Sequence, residues 1–399
     1  MTHLLPAFRG REPRVLISGA GVAGPALAYW LARSGYHTTI IERAPALREG
    51  GQAVDFRGPI HREVLERMGI WDAIGERQTR RGDLLLLDAA GATRARMPEV
   101  MMSGDVEILR GDLCRILHDR TAHTTDYRFR ERIVSLEERG RSVAVEFERG
   151  STELFDFVVG ADGLHSGVRR LTFGDEQREG ILRHRGYRIA SFALPNPLPT
   201  QEGTSCYSAP GRGVCLASIS EQEARALLVY RAGPVGVNER DVVGQKRAIN
   251  ERFAGMGWLV PSILDCLERA SDLYVDAIAT VHVERYSEGR VALLGDAAWG
   301  GTLGGQGTSL AIVGAYVLAH ELTNADDIRL AFARYEQRMR PYATRCQRGA
   351  THVGGFIAPR THVGLALRNV FYGVLTSRRF SRVFERLVKQ AASDFALPA

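Results

Sequence analysis

Val15-Leu-Ile-Ser-Gly-Ala-Gly-Val-Ala-Gly-Pro-Ala-Leu-Ala-Tyr-Trp-Leu-Ala-Arg-Ser-Gly35, followed by Thr38-Thr-Ile-Ile-Glu-Arg43, is the stretch on which the fold turns. A short apolar run from Val15 to Ile17 enters Gly19-x-Gly21-x-x-Gly24, which opens an Ala/Leu-rich helix that Gly35 stops. A second β-branched run, Thr38 to Ile41, ends in Glu42. This spells a strand–helix–strand unit with the glycine fingerprint of dinucleotide sites. Gly19 allows the tight turn, Gly21 lets a pyrophosphate approach the backbone, and Gly24 lets helix and strand pack closely. Val22 and Ala23 sit at the helix start, where free N–H groups and a positive dipole end face the phosphates. Glu42 follows at about 20 residues' distance and accepts hydrogen bonds from a ribose. The chain is expected to bind an adenine dinucleotide.

Composition sets the frame around that unit. At 399 residues the chain exceeds the usual single-domain length, so two domains and an appendage are expected. It has no apolar run of about 18 residues, which excludes a membrane-spanning helix. Met1 to Pro13 lack the apolar core of a signal peptide and read as a loose leader. Five cysteines (114, 206, 215, 266, 346) form no CxxC pair, from which we expect reduced thiols, a cytoplasmic setting and no zinc site. The formal charge of +6 comes almost wholly from arginine, Lys246 and Lys389 being the only lysines. Basic residues are not interleaved with aromatics on one face, and no nucleic-acid module is recognisable, so nucleic acid is not an expected partner.

In chain order, Gly50-Gly-Gln-Ala-Val-Asp-Phe-Arg57 reads as a loop and short strand close to a ligand. His61 to Met68 reads as a helix with Val64, Leu65 and Met68 inward and Gly69 as its stop. Leu84–Leu87 and Thr93–Met97 form a hairpin, Arg110 enters another helix, and residues 133–155 form a three-strand meander. Phe157-Val-Val-Gly-Ala-Asp-Gly follows. From Gly180 to about Val283, strand-like runs separated by Gly/Pro turns predict an antiparallel sheet with one helix, 242–255. Val291-Ala-Leu-Leu-Gly-Asp-Ala-Ala, a glycine-rich turn and a long helix from near Thr308 come next. The last stretch places Leu367, Val370, Phe371 and Val374, and Phe380 to Val388 after them, at helical intervals. That stripe is expected to pack on the two domains, with weak, reversible membrane-surface contact as the other reading.

The expected fold class is α/β, a Rossmann-like domain with a second α+β domain on an antiparallel sheet and a C-terminal helix. The division reads 1–82, 101–179 and 284–345 for the first domain, 83–100 (a hairpin) and 180–283 for the second, and 346–399 for the helical end.

Three separated pieces, Gly19-x-Gly21-x-x-Gly24 with Glu42-Arg43, Gly160-Ala-Asp162-Gly163, and Leu294-Gly-Asp296-Ala-Ala, together resemble the single-component FAD-dependent aromatic hydroxylases. These are group A flavoprotein monooxygenases with the para-hydroxybenzoate hydroxylase fold. The chain looks most like the tetracycline-inactivating and antibiotic-pathway members, over roughly residues 14–345. The resemblance implies FAD as resident cofactor and NADPH (or NADH) as reductant, with Arg43 at the adenosine end. It implies oxygenation of an aromatic small molecule through a flavin C4a-hydroperoxide, with oxygen as co-substrate, in a monomer or weak homodimer. It places Asp162 and Gly163 near the ribityl–pyrophosphate region and Asp296 on a ribityl hydroxyl. Arg110 falls beside the flavin, and Gly304, Gly305, Gln306, Gly307 and Thr308 along the isoalloxazine's pyrimidine edge.

After Gly295-Asp-Ala-Ala the family usually has His-Pro and a further proline, whereas this chain has Trp299, Gly300 and Leu303. Candidate pocket residues are therefore regional: Asp55, Arg57, Tyr187, Trp299, Thr302 and Leu303. No catalytic side chain is singled out, because the cofactor carries the chemistry. Two other readings share the flavin site: a reductase or dehydrogenase of an isoprenoid or polyketide, and a non-catalytic flavin binder.

Overall fold

β1 (Arg14–Ser18) runs through the middle of a six-stranded sheet, with Val15, Leu16 and Ile17 fully buried, as a strand covered on both faces requires. The computed structural model describes residues 12–48, 50–99, 104–174, 180–198, 202–232, 241–301, 307–350, 352–375 and 395–398. α1 (Ala23–Arg33) crosses from β1 to β2 (His37–Glu42), which lies parallel to β1 with Val15 opposite Thr38 and Ile17 opposite Ile40. β3 (Ala53–Phe56), α2 (Pro59–Met68) and α3 (Trp71–Gly75) follow, and Gly69 closes α2 at φ 67°. β4 (Leu84–Leu87) and β5 (Thr93–Met97) form the expected hairpin. β6 (Val106–Leu109) then pairs with β3 and leads into α4 (Arg110–Thr121).

β7 (Thr125–Phe129) joins the parallel sheet beside β2. β8 (Ile133–Arg139), β9 (Ser142–Phe147) and β10 (Thr152–Phe155) make the three-stranded meander. β11 (Phe157–Gly160) returns to the other side of β1, and α5 (Gly167–Phe173) follows it.

The second domain contains β12 (Leu182–Pro195), β13 (Thr204–Ala209), β14 (Arg212–Ser218), β15 (Glu223–Arg231), α6 (Val242–Phe253), α7 (Val260–Arg269) and β16 (Tyr274–Val281). Its sheet runs β16-β12-β15-β14-β13-β4-β5, so the early hairpin completes it. One face packs on α6 and α7 through Phe192, Leu228, Phe253, Ile263 and Leu267. The register places Tyr274, Ser191, Leu227, Cys215, Cys206 and Leu86 in one row on the opposite face.

β17 (Ser287–Glu288) and β18 (Val291–Leu293) complete the parallel sheet, in the order β17-β18-β11-β1-β2-β7. α8 (Asp296–Trp299), α9 (Gly307–Asn324), α10 (Ile328–Ala350), α11 (Val353–Ile357) and α12 (His362–Leu375) end the described helices. The fold is thus the mixed α/β architecture expected.

Three expectations are corrected. Cys206 and Cys215, opposite one another on β13 and β14, form a disulfide with Cα atoms 4.1 Å apart, leaving Cys114, Cys266 and Cys346 as free thiols. A hairpin register, invisible to a search for CxxC, brings the two thiols together. A second helix, α7, packs on the antiparallel sheet where one was expected. The stripe of α12 does not pack inward: Leu367, Val370, Phe371 and Val374 are each more than half exposed. The helix is held instead through Arg368, whose Nη1 donates to Ser208 Oγ (2.9 Å) and to the Phe356 carbonyl (2.7 Å). The stripe's continuation, Phe380 to Val388, lies outside the described residues.

Candidate active site

The first fingerprint closes around Gly19, which turns at φ 114°. A Cβ there would meet the Ala161 carbonyl oxygen at 2.4 Å, and one on Gly24 would meet the Gly19 carbonyl oxygen at 2.0 Å. Those two glycines are required by packing. Gly21 differs: a Cβ there finds only Arg110 Nη2, at 3.5 Å, so the space above its backbone is open. α1 starts at that space with Val22 as N-cap and no side-chain cap, leaving its first-turn N–H groups available to an anion.

Arg110, first residue of α4, reaches across this opening. Its backbone N–H donates to the Gln52 carbonyl at 3.0 Å, and Gly51 lies against its stem. The guanidinium is accessible, and among the described residues it makes no hydrogen bond or ion pair. Protein surrounds it closely enough for burial to oppose its charge, yet Cys114, Asp296, Tyr274 and Glu42 together hold that charge more firmly than in water. A cation with no direct hydrogen bond or ion pair among the described residues, above a glycine with open space, fits a pyrophosphate.

Glu42 sits at the C-terminal end of β2. Its Oε2 accepts from Ala20 N at 3.1 Å and its Oε1 from Ala44 N at 2.9 Å, which fixes the carboxylate at the fingerprint's edge. Arg43 follows it just past the strand end, exposed.

Asp162 is more occupied than the sequence implied. Its carboxylate accepts from Gly167 N (2.8 Å), Val168 N (3.2 Å) and the Ser166 hydroxyl, so it organises the start of α5. Burial pushes its carboxyl up, against those hydrogen bonds. Gly163 turns at φ 84°, and a Cβ there would find nothing within 4 Å, so bare backbone lies beside the cleft. Arg169, fully buried, joins this turn to the next motif by donating to the Leu164 (2.5 Å) and Ala297 (2.8 Å) carbonyls.

Asp296 opens α8. Gly295, at φ 65°, brings this turn against Ala23 of α1, so the third motif meets the first. Burial raises the Asp296 carboxyl, Arg110 opposes that rise, and a Cβ on Gly307 would lie 3.2 Å from its Oδ1. α9 begins at Gly307 and Thr308; Gly304, Gly305, Gln306, Thr302 and Leu303 lie outside the described residues.

The pocket candidates divide. Asp55 on β3 and Arg57 just past its end stand 3.6 Å apart, partly exposed, and β3 is tied to α9 by Ser309 Oγ donating to the Asp55 carbonyl at 2.6 Å. Burial pushes the Asp55 carboxyl up to about 6, with Glu107 opposite adding to the rise and Arg57 opposing it. Trp299 is 2 % exposed and packs on Tyr286, Tyr335 and the backbone of Gly314, which makes it core. Tyr187 is likewise buried, against Gly354 of α11. Both are corrected from pocket to packing, since large rings fill the gaps their glycine neighbours leave.

Sequence reasoning missed His165, Tyr274 and Asp276. Tyr274 Oη donates to Asp276 Oδ2 at 2.7 Å, and Asp276 Oδ1 pairs with His165 Nε2 at 3.0 Å. No spacing rule links residues 111 apart in sequence.

Residues 12–350 match the family model described as FAD binding domain. An uncharacterised protein of Mycobacterium tuberculosis is 40% identical over 342 residues, covering 84% of this chain and 91% of the relative. A flavin-dependent monooxygenase of Legionella longbeachae is 37% identical over 342 residues, covering 84% and 87%. The crystal structure of tetracycline destructase Tet(55) is 34% identical with a TM-score of 0.80, covering 97% of this chain and 99% of that one. The open cradle at Gly21 and Arg110 and these likenesses agree: the chain belongs to the FAD-binding-domain family and is a single-component FAD-dependent monooxygenase.

Proposed function

We propose that the chain consumes NADPH or NADH and inserts one oxygen atom into an aromatic or polycyclic small molecule. The observation that carries this reading is the arrangement of the cleft. The cradle of Gly21, Arg110 and Asp296 opens toward the second domain's sheet, whose near face carries Tyr274, Ser191 and Leu227 in register. When bound, FAD supplies the reducing and oxygen-activating chemistry.

The protein's part is placement. Gly19 and Gly24 hold the turn, Gly21 and the α1 N-terminus receive the pyrophosphate, and Arg110 supplies its positive charge. Glu42 meets the ribose, with Arg43 beside it, while Asp296, Gly307 and Thr308 meet the flavin-bearing half. Asp162 holds the turn that presents Gly163. Apolar side chains on the sheet keep water from the reacting ring, and Asp55 with Arg57 meets polar groups of the substrate.

The relatives named for tetracycline make tetracyclines the first compounds to test, followed by other fused aromatics. The experiment supplies labelled oxygen, NADPH or NADH and each compound to the FAD-loaded protein, then weighs the products. Incorporation of one labelled atom, with NAD(P)H consumption accelerated by the same compound, is expected. Flavin retention with peroxide as the sole product of every compound would remove the aromatic-substrate reading.

A further inference from the structure

β16 belongs to the second domain's sheet yet runs along the cofactor cleft. Val281 N donates to the Gly300 carbonyl at 2.9 Å, and Thr280 bridges to Gly301, so this edge strand borders the loop between Asp296 and α9. At its other end Tyr274 lies within electrostatic reach of both Arg110 and Asp296. Its hydroxyl proton is already engaged by Asp276, whose second oxygen is held by His165, three residues beyond Asp162. Burial acts to raise the Asp276 carboxyl, but its bonds to His165, Tyr274 and Ala277 N outweigh this and keep it ionised.

A phenol has one proton. Committed to a carboxylate in a charge-assisted bond, it leaves the Tyr274 oxygen only as an acceptor toward the cleft. With Asp296 nearby as a second acceptor, and Asp276 behind, this spot suits neutral O–H donors. The ribityl chain of FAD presents a row of them.

We propose that Tyr274 is a cofactor-binding residue supplied by the second domain, accepting a hydrogen bond from a ribityl hydroxyl, and that Asp276 and His165 position it. The flavin chain is then held from both domains. The inference rests on FAD occupying the cleft.

The test titrates FAD into full-length apoprotein by flavin fluorescence, for the wild type and for Tyr274→Phe, His165→Gln and His165→Leu. ADP serves as a second probe because it shares the adenosine pyrophosphate but has no ribityl chain. Loss of one hydrogen bond at Tyr274→Phe should weaken FAD about five- to tenfold and leave ADP unchanged. His165→Gln, which keeps an N–H for Asp276, should bind FAD within about twofold of wild type, and His165→Leu more weakly. Apoprotein melting curves verify that each variant is folded. Equal FAD affinity in Tyr274→Phe and wild type overturns the proposal, as does equal weakening for ADP. A wild-type chain that takes up no FAD would refute the flavin site itself, a separate outcome.

Discussion

Gly21→Ala separates a cofactor cradle from a glycine turn that merely packs. Gly21 is not among the positive-φ glycines, so alanine suits its backbone. The new methyl would lie 3.5 Å from Arg110 Nη2, an ordinary contact, with nothing else within 4 Å. The apoprotein should therefore melt at or slightly above the wild-type temperature, since a Gly→Ala change without strain restricts the unfolded chain. The same methyl fills the space a pyrophosphate needs. Displacing that group breaks at least one charge-assisted hydrogen bond, worth about 1.5–3 kcal/mol, so FAD should bind about 10- to 150-fold more weakly. Gly24→Ala is the contrasting variant: its Cβ would stand 2.0 Å from Gly19 O and 3.3 Å from Ile17 Cγ2, and relief requires the backbone to move. Its apoprotein should lose stability outright. Flavin-fluorescence titration gives affinity and differential scanning fluorimetry gives stability. If Gly21→Ala lowered apoprotein melting as Gly24→Ala does while taking up FAD normally, the cradle argument would be wrong.

Three further outcomes follow from the same geometry. Arg110→Met, which keeps the stem and removes the charge, should weaken FAD by a similar 10- to 150-fold, roughly, and make its affinity less dependent on salt. Asp55 binds a proton more tightly folded (about 6) than unfolded (3.8), so it lowers stability as pH rises through that window and keeps the cost above it. Asp55→Asn should thus gain up to about 3 kcal/mol at pH 7.5 and nothing below about pH 4, by urea unfolding of the apoprotein at both pH values. Arg368→Ala should lower melting by several degrees, because it leaves Ser208 and the Phe356 carbonyl without their donor, whereas Phe371→Ser on the exposed face should change stability by less than about 0.5 kcal/mol.

The sequence alone determined the strand–helix–strand unit, the hairpin and meander, the two-domain α/β class and the positions of three motifs. These are local: glycine spacing, β-branched runs and helix stops act over a few residues, where periodicity and turn chemistry are written directly. It also placed Arg110 at a helix entrance. Only the tertiary structure decided what the motifs touch. Asp162 reads as a ligand in sequence, yet its oxygens are taken by the start of α5. Trp299 reads as a pocket candidate until Gly314, 15 residues on, supplies the hollow that its ring fills. Cys206 and Cys215 meet because a hairpin register sets them opposite. The Tyr274–Asp276–His165 chain joins two domains because packing brings His165 to Asp276, 111 residues away in sequence. Such contacts depend on how sheets and helices pack, and long-range packing leaves no periodic trace in the chain.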